Sequence, residues 1–342
     1  MTTHQRLSTG KTQANYYSSA RQGQSRRTEN TLTRDQGILL LSKMREIRQF
    51  SERIIPIYPT DVMETPVHLC IGQEAVPVGV CAHLNPEDTI FFGHRTHGPA
   101  LAKGLEMKKL MAELYGRITG CSGSLGGSME LVDPDNGMLG SSAIVGGSIA
   151  LGVGSALAAK LSNQDRIAVS YFGDGAADSG VFWESINFAA IKHLPVLFAC
   201  ENNGLTNTMP QSDHLYVELT SITEKFMPTF HADGTDVLSV YAAAEEAITY
   251  VRENRGPAFI ESKTKRWMKH QGVQKDDLPY NPIDPVIDCP IVKLEQWLLT
   301  SELIDQEDID GITRGIEQHI DEAIQYAVDS PFPDESALLE GI

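Results

Sequence analysis

Residues Arg166–Gly204 read RIAVSYFGDGAADSGVFWESINFAAIKHLPVLFACENNG. Ile167–Phe172 is a short β-branched and aromatic run, and Gly173-Asp174-Gly175 follows it at once. Gly180 to Lys192 has helical spacing, Val196–Cys200 is a second apolar run, and Asn202-Asn203 stand at its end. Strand, helix and strand in this order make one βαβ unit, so the two strands are parallel and the crossover is right-handed. Asp174 and Asn203 then sit at the carboxyl ends of two strands of one sheet, the edge where open α/β sheets bind ligands.

The same alternation extends outward. From Gly72 to Ser262, strand-like runs recur at Thr89–Phe92, Ile167–Phe172, Val196–Cys200 and Ala258–Glu261. Helical patterns lie between them at 73–83, 106–115, 146–160, 180–192 and 239–254. Continuous apolar strands alternating with helices predict an α/β fold, a buried parallel sheet with helices on both faces. Upstream, Thr33 precedes a helix with Ile38, Leu41, Met44, Ile47 and Phe50 on one face, and Pro56, Pro59 and Pro66 mark a break. Downstream, 264–290 reads as a long loop, and Ile309, Ile312, Ile316, Ile320, Ala323 and Ala327 form the apolar stripe of an amphipathic helix. The expected organisation is a disordered polar arm over 1–30, one α/β domain over 31–330 with a functional loop at 264–290, and a tail over 331–342.

The chain has 342 residues and a net charge of −17, with 28 Lys plus Arg against 45 Asp plus Glu. So acidic a surface is a poor partner for nucleic acid, which needs cations to displace counterions. The basic residues Arg6, Lys11, Arg21, Arg26 and Arg27 fall before the first acid, Glu29, so the start superficially resembles a transit peptide. The five cysteines have no CxxC pair and argue for a reducing compartment, expected to be the cytoplasm, or an organelle matrix if the arm is a targeting segment. Asn136–Ala159 carries no charge and is long enough to span a bilayer, but its glycines and serines argue against a membrane span.

The residue types at the two strand ends suit a diphosphate held through a metal ion. Asp174 offers an anionic oxygen, Asn203 an amide oxygen, and a backbone carbonyl just beyond, at Leu205, can supply a third. Mg²⁺ takes such hard oxygens and completes its shell with phosphate and water. Gly173 and Gly175 let the backbone approach a phosphate closely. A lone Gly-Asp-Gly is common in turns; paired with Asn-Asn after the next strand, with 26 residues between Gly175 and Asn202, it is far more specific.

That spacing resembles the thiamine-diphosphate-binding motif. The wider sequence resembles the alpha subunit of the thiamine-dependent first component of 2-oxo acid dehydrogenase complexes of the pyruvate, branched-chain and acetoin types. The blocks that carry the resemblance are His68–Ala75 (HLCIGQEA), Gly93–Gly98 (GHRTHG), Gly120–Met129 (GCSGSLGGSM), Ile144–Gly147 and Arg166–Gly204. The resemblance implies the thiamine-diphosphate-binding fold and oxidative decarboxylation of a 2-oxo acid, with acyl transfer to a lipoyl-bearing acyltransferase or carrier protein. It further implies Mg²⁺ on Asp174, Asn203 and the Leu205 carbonyl, and diphosphate contacts from Gly175, Ala176, Arg95 and Arg266. The backbone of Ile144, Val145 and Gly146 would meet the aminopyrimidine, His94 would stand beside the cofactor, and His270 and His68 would serve catalysis. A beta subunit is implied too, in an α2β2 heterotetramer, because the family's glutamate partner of the pyrimidine lies there.

The sequence departs from the family at three places. His94 stands where the family has Tyr, Leu205 stands where it has Tyr, and His270-Gln-Gly-Val-Gln-Lys-Asp-Asp277 replaces a His-Ser-x-Ser-Asp-Pro loop. The phosphorylatable serines are absent from that loop. The alternatives are a thiamine-dependent acyl or ketol transferase delivering a two-carbon unit to a carrier protein or sugar, and a non-catalytic regulatory paralogue. His94 and His97 form an HxxH pair spaced for a helix face, without a third ligand nearby in sequence. Gly152-Val-Gly154 lacks the third glycine and flanking strand of a dinucleotide fingerprint and reads as a helix-packing stripe. Cys121 lies in a Gly/Ser-rich turn with no basic partner evident.

Overall fold

The computed structural model describes residues 32–339, so the arm expected over 1–30 lies outside the described residues. A six-stranded sheet has the order β2-β1-β3-β4-β8-β7, and every neighbouring pair is parallel. Its strands are β1 (Thr89–Phe92), β2 (Met138–Ser141), β3 (Ala168–Gly173), β4 (Val196–Asn202), β7 (Thr229–Asp233) and β8 (Ala258–Lys263); β5 (Leu205–Thr206) and β6 (Met209–Pro210) form a separate two-stranded hairpin. The chain leaves β1 toward β2 on one side and returns to β3 on the other. That reversal makes the β1/β3 boundary a topological switch point, where a crevice opens beyond the strand ends.

The strands alternate their side chains between two cores. Val169, Tyr171 and Leu197 enter one, built with α1 (Arg34–Ile57), α2 (Ala75–Cys81), α3 (His97–Lys103), α4 (Met107–Leu114), and three later helices. Ala168, Phe172, Val196 and Phe198 enter the other, under α5 (Gly147–Leu161) and α6 (Gly180–Lys192). Because β1, β3, β4 and β8 are covered on both faces, they read as unbroken apolar runs.

Helix α1 starts where the sequence predicts, with Thr33 and Gln36 forming a reciprocal capping box. It continues one residue past Pro56, so the predicted break comes slightly late; the amide of Tyr58 still reaches the Ile54 carbonyl. After a short helix α7 (Leu219–Thr223), α8 (Val237–Asn254) leads into β8, and α9 (Pro290–Thr300) and α10 (Gln306–Asp329) close the first core. The stripe of α10 buries Ile309, Ile316, Ile320, Ala323 and Ala327, with Ile312 packed at its margin. No helix among the described residues is long and apolar enough to cross a membrane.

One buried acid organises the turn that leads to the crevice. Glu113 of α4 is 1% exposed and accepts four backbone N–H bonds, from Ser122 (2.8 Å), Ser124 (3.0 Å), Gly126 (2.8 Å) and Gly127 (3.1 Å). A Cβ at Gly120 would lie 2.3 Å from a Glu113 carboxylate oxygen, so only glycine lets the turn fold over it. The turn then delivers Ser128, whose carbonyl accepts from Thr96 and whose hydroxyl meets His97, fixing the chain just after Arg95. Glu113→Ala should lower unfolding free energy by about 3 kcal/mol in urea titration, because several buried amides lose a charged acceptor. A loss below about 1 kcal/mol would show that water replaces the carboxylate.

Candidate active site

The switch-point crevice collects the ends of five strands. Gly93, His94 and Arg95 follow β1, Val145, Gly146 and Ser148 follow β2, and Gly173–Ala176 follow β3. Glu201, Asn203 and Leu205 come from the end of β4, and Arg266 and His270 come after β8. Nearly all the residues singled out from sequence therefore converge. Ile144 does not line the cavity and is 76% exposed, and His68 stands behind it, reached through His94 and His270.

Asp174 opens a 3₁₀ turn after β3 and is 1% exposed. Both its carboxylate oxygens are buried with no hydrogen-bond partner. Burial pushes its pKa from 3.8 up to about 7, reinforced by Glu261 and Asp178; the backbone amides of Asp174 and Asn203 lie near enough to pull it back in part, but neither completes a hydrogen bond to the carboxylate. Leaving such oxygens unpaired is costly, and a divalent cation would satisfy both.

The two asparagines divide their tasks. Asn202 donates to Glu261 (2.7 Å) and accepts from the Gly204 amide (2.9 Å), which holds the turn. Asn203 donates to Gln73 (2.8 Å) and accepts from the Leu205 amide (3.1 Å). Its oxygen keeps a second lone pair for a ligand, and Gln73 fixes which way the amide faces. A Cβ at Gly175 would lie 2.3 Å from the Thr206 hydroxyl, so glycine is required where the hairpin closes over the turn. Asp174, Asn203 and the Leu205 backbone fit a hard, oxygen-ligated cation.

Two buried arginines line the same cavity. Arg95 is 9% exposed and donates to the Leu69 carbonyl. Arg266 is 1% exposed, donates to Asp276 from two nitrogens (3.1 and 2.6 Å), and donates to the Asn207 carbonyl (2.8 Å). Arg266 thus lines the crevice with one edge held by an acid of its own loop. Glu201, one residue before the asparagine pair, is raised to about 7 by burial and pulled back by Arg95.

His68, His94 and His270 stack into one cluster, with ring centroids 4.7, 5.1 and 4.9 Å apart. Burial first, then Arg95, holds them at about 3, 2 and 4, so all three are neutral at pH 7. The HxxH pair does not act as a unit. His97 opens α3, is fully buried, pairs with Ser128 (3.0 Å) and meets the Phe50 ring edge-on. The cysteine of the Gly/Ser turn is not an activated nucleophile, since burial raises Cys121 to about 11.

Sequence reasoning missed Gln73, Glu201 and Asp276. Gln73 lay inside the quoted HLCIGQEA block and Glu201 beside the asparagines, so each had a positional signal. Asp276 had none, because the loop fold that brings it to Arg266 is tertiary.

The sign of the Asp174 shift gives a stability signature. A raised carboxyl pKa favours the protonated folded form; its stabilisation is complete below about pH 4 and is lost as pH rises toward 7. With chelator present, Asp174→Asn should be more stable than the parent above pH 7, by about 4 kcal/mol, and the gain should vanish toward pH 4. Glu201 titrates in the same window and remains, so the pH slope should fall without reaching zero. Denaturant midpoints across this range check it; a variant equally or less stable at every pH would contradict the assigned burial.

The model of the family described as "Dehydrogenase E1 component" matches residues 42–336. The chain is 38% identical over 321 residues to the alpha subunit of acetoin:2,6-dichlorophenolindophenol oxidoreductase of Bacillus subtilis, covering 91% of this chain and 95% of that one. It is 36% identical to the pyruvate dehydrogenase E1 alpha subunit of Zymomonas mobilis, over 88% of this chain and 86% of the other. It is 33% identical to the chloroplastic pyruvate dehydrogenase E1 alpha-3 subunit of Arabidopsis thaliana, over 92% and 77%.

Proposed function

Because the chain belongs to the dehydrogenase E1 component family, we propose that it is the alpha subunit of a thiamine-diphosphate-dependent 2-oxo acid dehydrogenase. The observation that carries this reading is the buried, unpartnered Asp174 carboxylate beside Asn203 at the switch point. The transferase and regulatory readings are not favoured: the named relatives are dehydrogenase or oxidoreductase subunits, and Asp174, Asn203, Arg95 and His270 line one cavity.

Thiamine diphosphate supplies the electron sink that decarboxylation of a 2-oxo acid requires. Asp174, Asn203 and the Leu205 carbonyl would hold Mg²⁺, a choice of metal that rests on their hard oxygen donors. Gly175 and Ala176 would admit the diphosphate, and Arg95 and Arg266 would oppose its charge. His270, which lines the cavity beside His94, and His68 behind them would hold or move a proton at the substrate oxygen. Their neutral state suits donation of a hydrogen bond, and an anion in the crevice would raise their basicity.

The cavity of about 100 Å³ is smaller than the ~300 Å³ or more that encloses a drug-sized ligand. It would admit a diphosphate, and the cofactor's rings would be met at its mouth by the exposed Ile144 and Val145. This supports a cofactor completed by a beta subunit, and we propose an α2β2 assembly that passes its acyl group to a lipoyl-bearing acyltransferase or a carrier protein. We place it in the cytoplasm, with an organelle matrix as the alternative if the acid-free start is a targeting segment.

Calorimetry of thiamine diphosphate with Mg²⁺, and decarboxylation of a 2-oxo acid panel plus acetoin, test the reading. The chain co-expressed with its beta subunit should turn over a 2-oxo acid, the isolated chain should not, and Asp174→Ala should lose Mg²⁺-dependent cofactor binding. Full turnover by the isolated chain, turnover of acetoin alone, or unchanged cofactor affinity in Asp174→Ala would contradict it.

A further inference from the structure

His68, His94 and His270 come from three distant places in the chain. His68 precedes α2, His94 follows β1, and His270 lies in the loop after β8. Their backbones are nevertheless tied together. The Gly272 amide donates to the Val67 carbonyl (2.8 Å), and a bridge joins His68 with Gly272, so the loop that carries His270 is pinned to the segment that carries His68. The Lys269 amide donates to the Gln274 carbonyl (2.8 Å), and a Met268–Lys275 bridge closes the loop on itself. One ring nitrogen from each histidine falls within 4.8 Å of the other two. His68 is 5% exposed, and its Nδ1 is buried with no hydrogen-bond partner.

We propose that these three imidazoles form a second metal site, distinct from the oxygen site at Asp174, that takes a zinc-class divalent ion. Three histidines with a fourth position left open is a ligand set that zinc accepts. Bonds of about 2.0–2.1 Å in a tetrahedral shell put ligand nitrogens about 3.3 Å apart, so the widest pair must close by about 1.5 Å. His94 and His270 are only partly buried and can make that adjustment by side-chain rotation. The open position faces the crevice, since His94 and His270 both line it. Arg95 lies next to the cluster and disfavours any dication, which selects against Mg²⁺ and for ions that bind imidazole strongly. On the functional reading above, an ion here would occupy the two histidines assigned to proton handling, and the loaded form would be inhibited; the site itself does not depend on that reading.

The test is Co²⁺ titration of the full-length chain without thiamine diphosphate or a partner chain. One equivalent should give the visible bands of a four- or five-coordinate ion, displaced by Zn²⁺ and retained in excess Mg²⁺. His94→Tyr and His270→Gln should each weaken Zn²⁺ binding, read by competition with a chromophoric chelator, by more than the ~10–100-fold that loss of an outer-shell partner costs. Asp174→Ala should keep the bands, which separates this site from the oxygen site and from the fate of the functional reading. Absence of the bands in the parent chain, their loss in Asp174→Ala, or Zn²⁺ affinity unchanged in both histidine variants would overturn the proposal.

Discussion

The structure depends on one unfavourable burial, the carboxylate of Asp174 held 1% exposed with neither oxygen paired. A carboxylate in that state either takes up a proton or attracts a cation. The surrounding architecture would suit the second outcome. The parallel sheet puts the carboxyl end of β3 next to that of β4, so Asp174 and Asn203 share an edge. Gln73 then orients the Asn203 amide, and the hairpin at Leu205 packs over Gly175. Each neighbour has a separate structural reason, and together they leave oxygen donors aimed into one small cavity.

Charge around that cavity is balanced in layers. Arg95 moderates Glu201, Asp276 holds one edge of Arg266, and the histidines stay neutral because burial and Arg95 both oppose a further positive charge. A site arranged this way favours a multiply charged anion that arrives with a cation, since either alone would meet like charge.

How much of this was legible follows from where each signal resides. The β3–α6–β4 unit was readable because strands buried on both faces are continuous apolar runs, bounded here by glycine and by asparagine. Helices α1 and α10 were readable from one apolar face each, and α1 also from Thr33 at its start. The edge strands were not: Met138–Ser141 contains a glycine and lies in the uncharged, glycine- and serine-rich stretch 136–159, and Thr229–Asp233 buries only Ala232. Pro290 was read as the end of a loop, whereas it is the first residue of a helix, where a missing amide costs nothing. The Asp174 and Asn203 pair was readable because it follows consecutive strands. The histidine cluster was not, because its members lie far apart in sequence, and the one local spacing on offer, His94 with His97, joins a cavity residue to a core residue.

In the proposed site, Asp174, Asn203 and the Leu205 carbonyl would hold a divalent ion against a diphosphate. Electron–nuclear double resonance on the chain loaded with Mn²⁺ and thiamine diphosphate tests it most directly. ³¹P coupling from the diphosphate, in an oxygen-ligated manganese shell, is the expected result. Manganese that shows no ³¹P coupling, or that shows imidazole ¹⁴N coupling in its place, would contradict it.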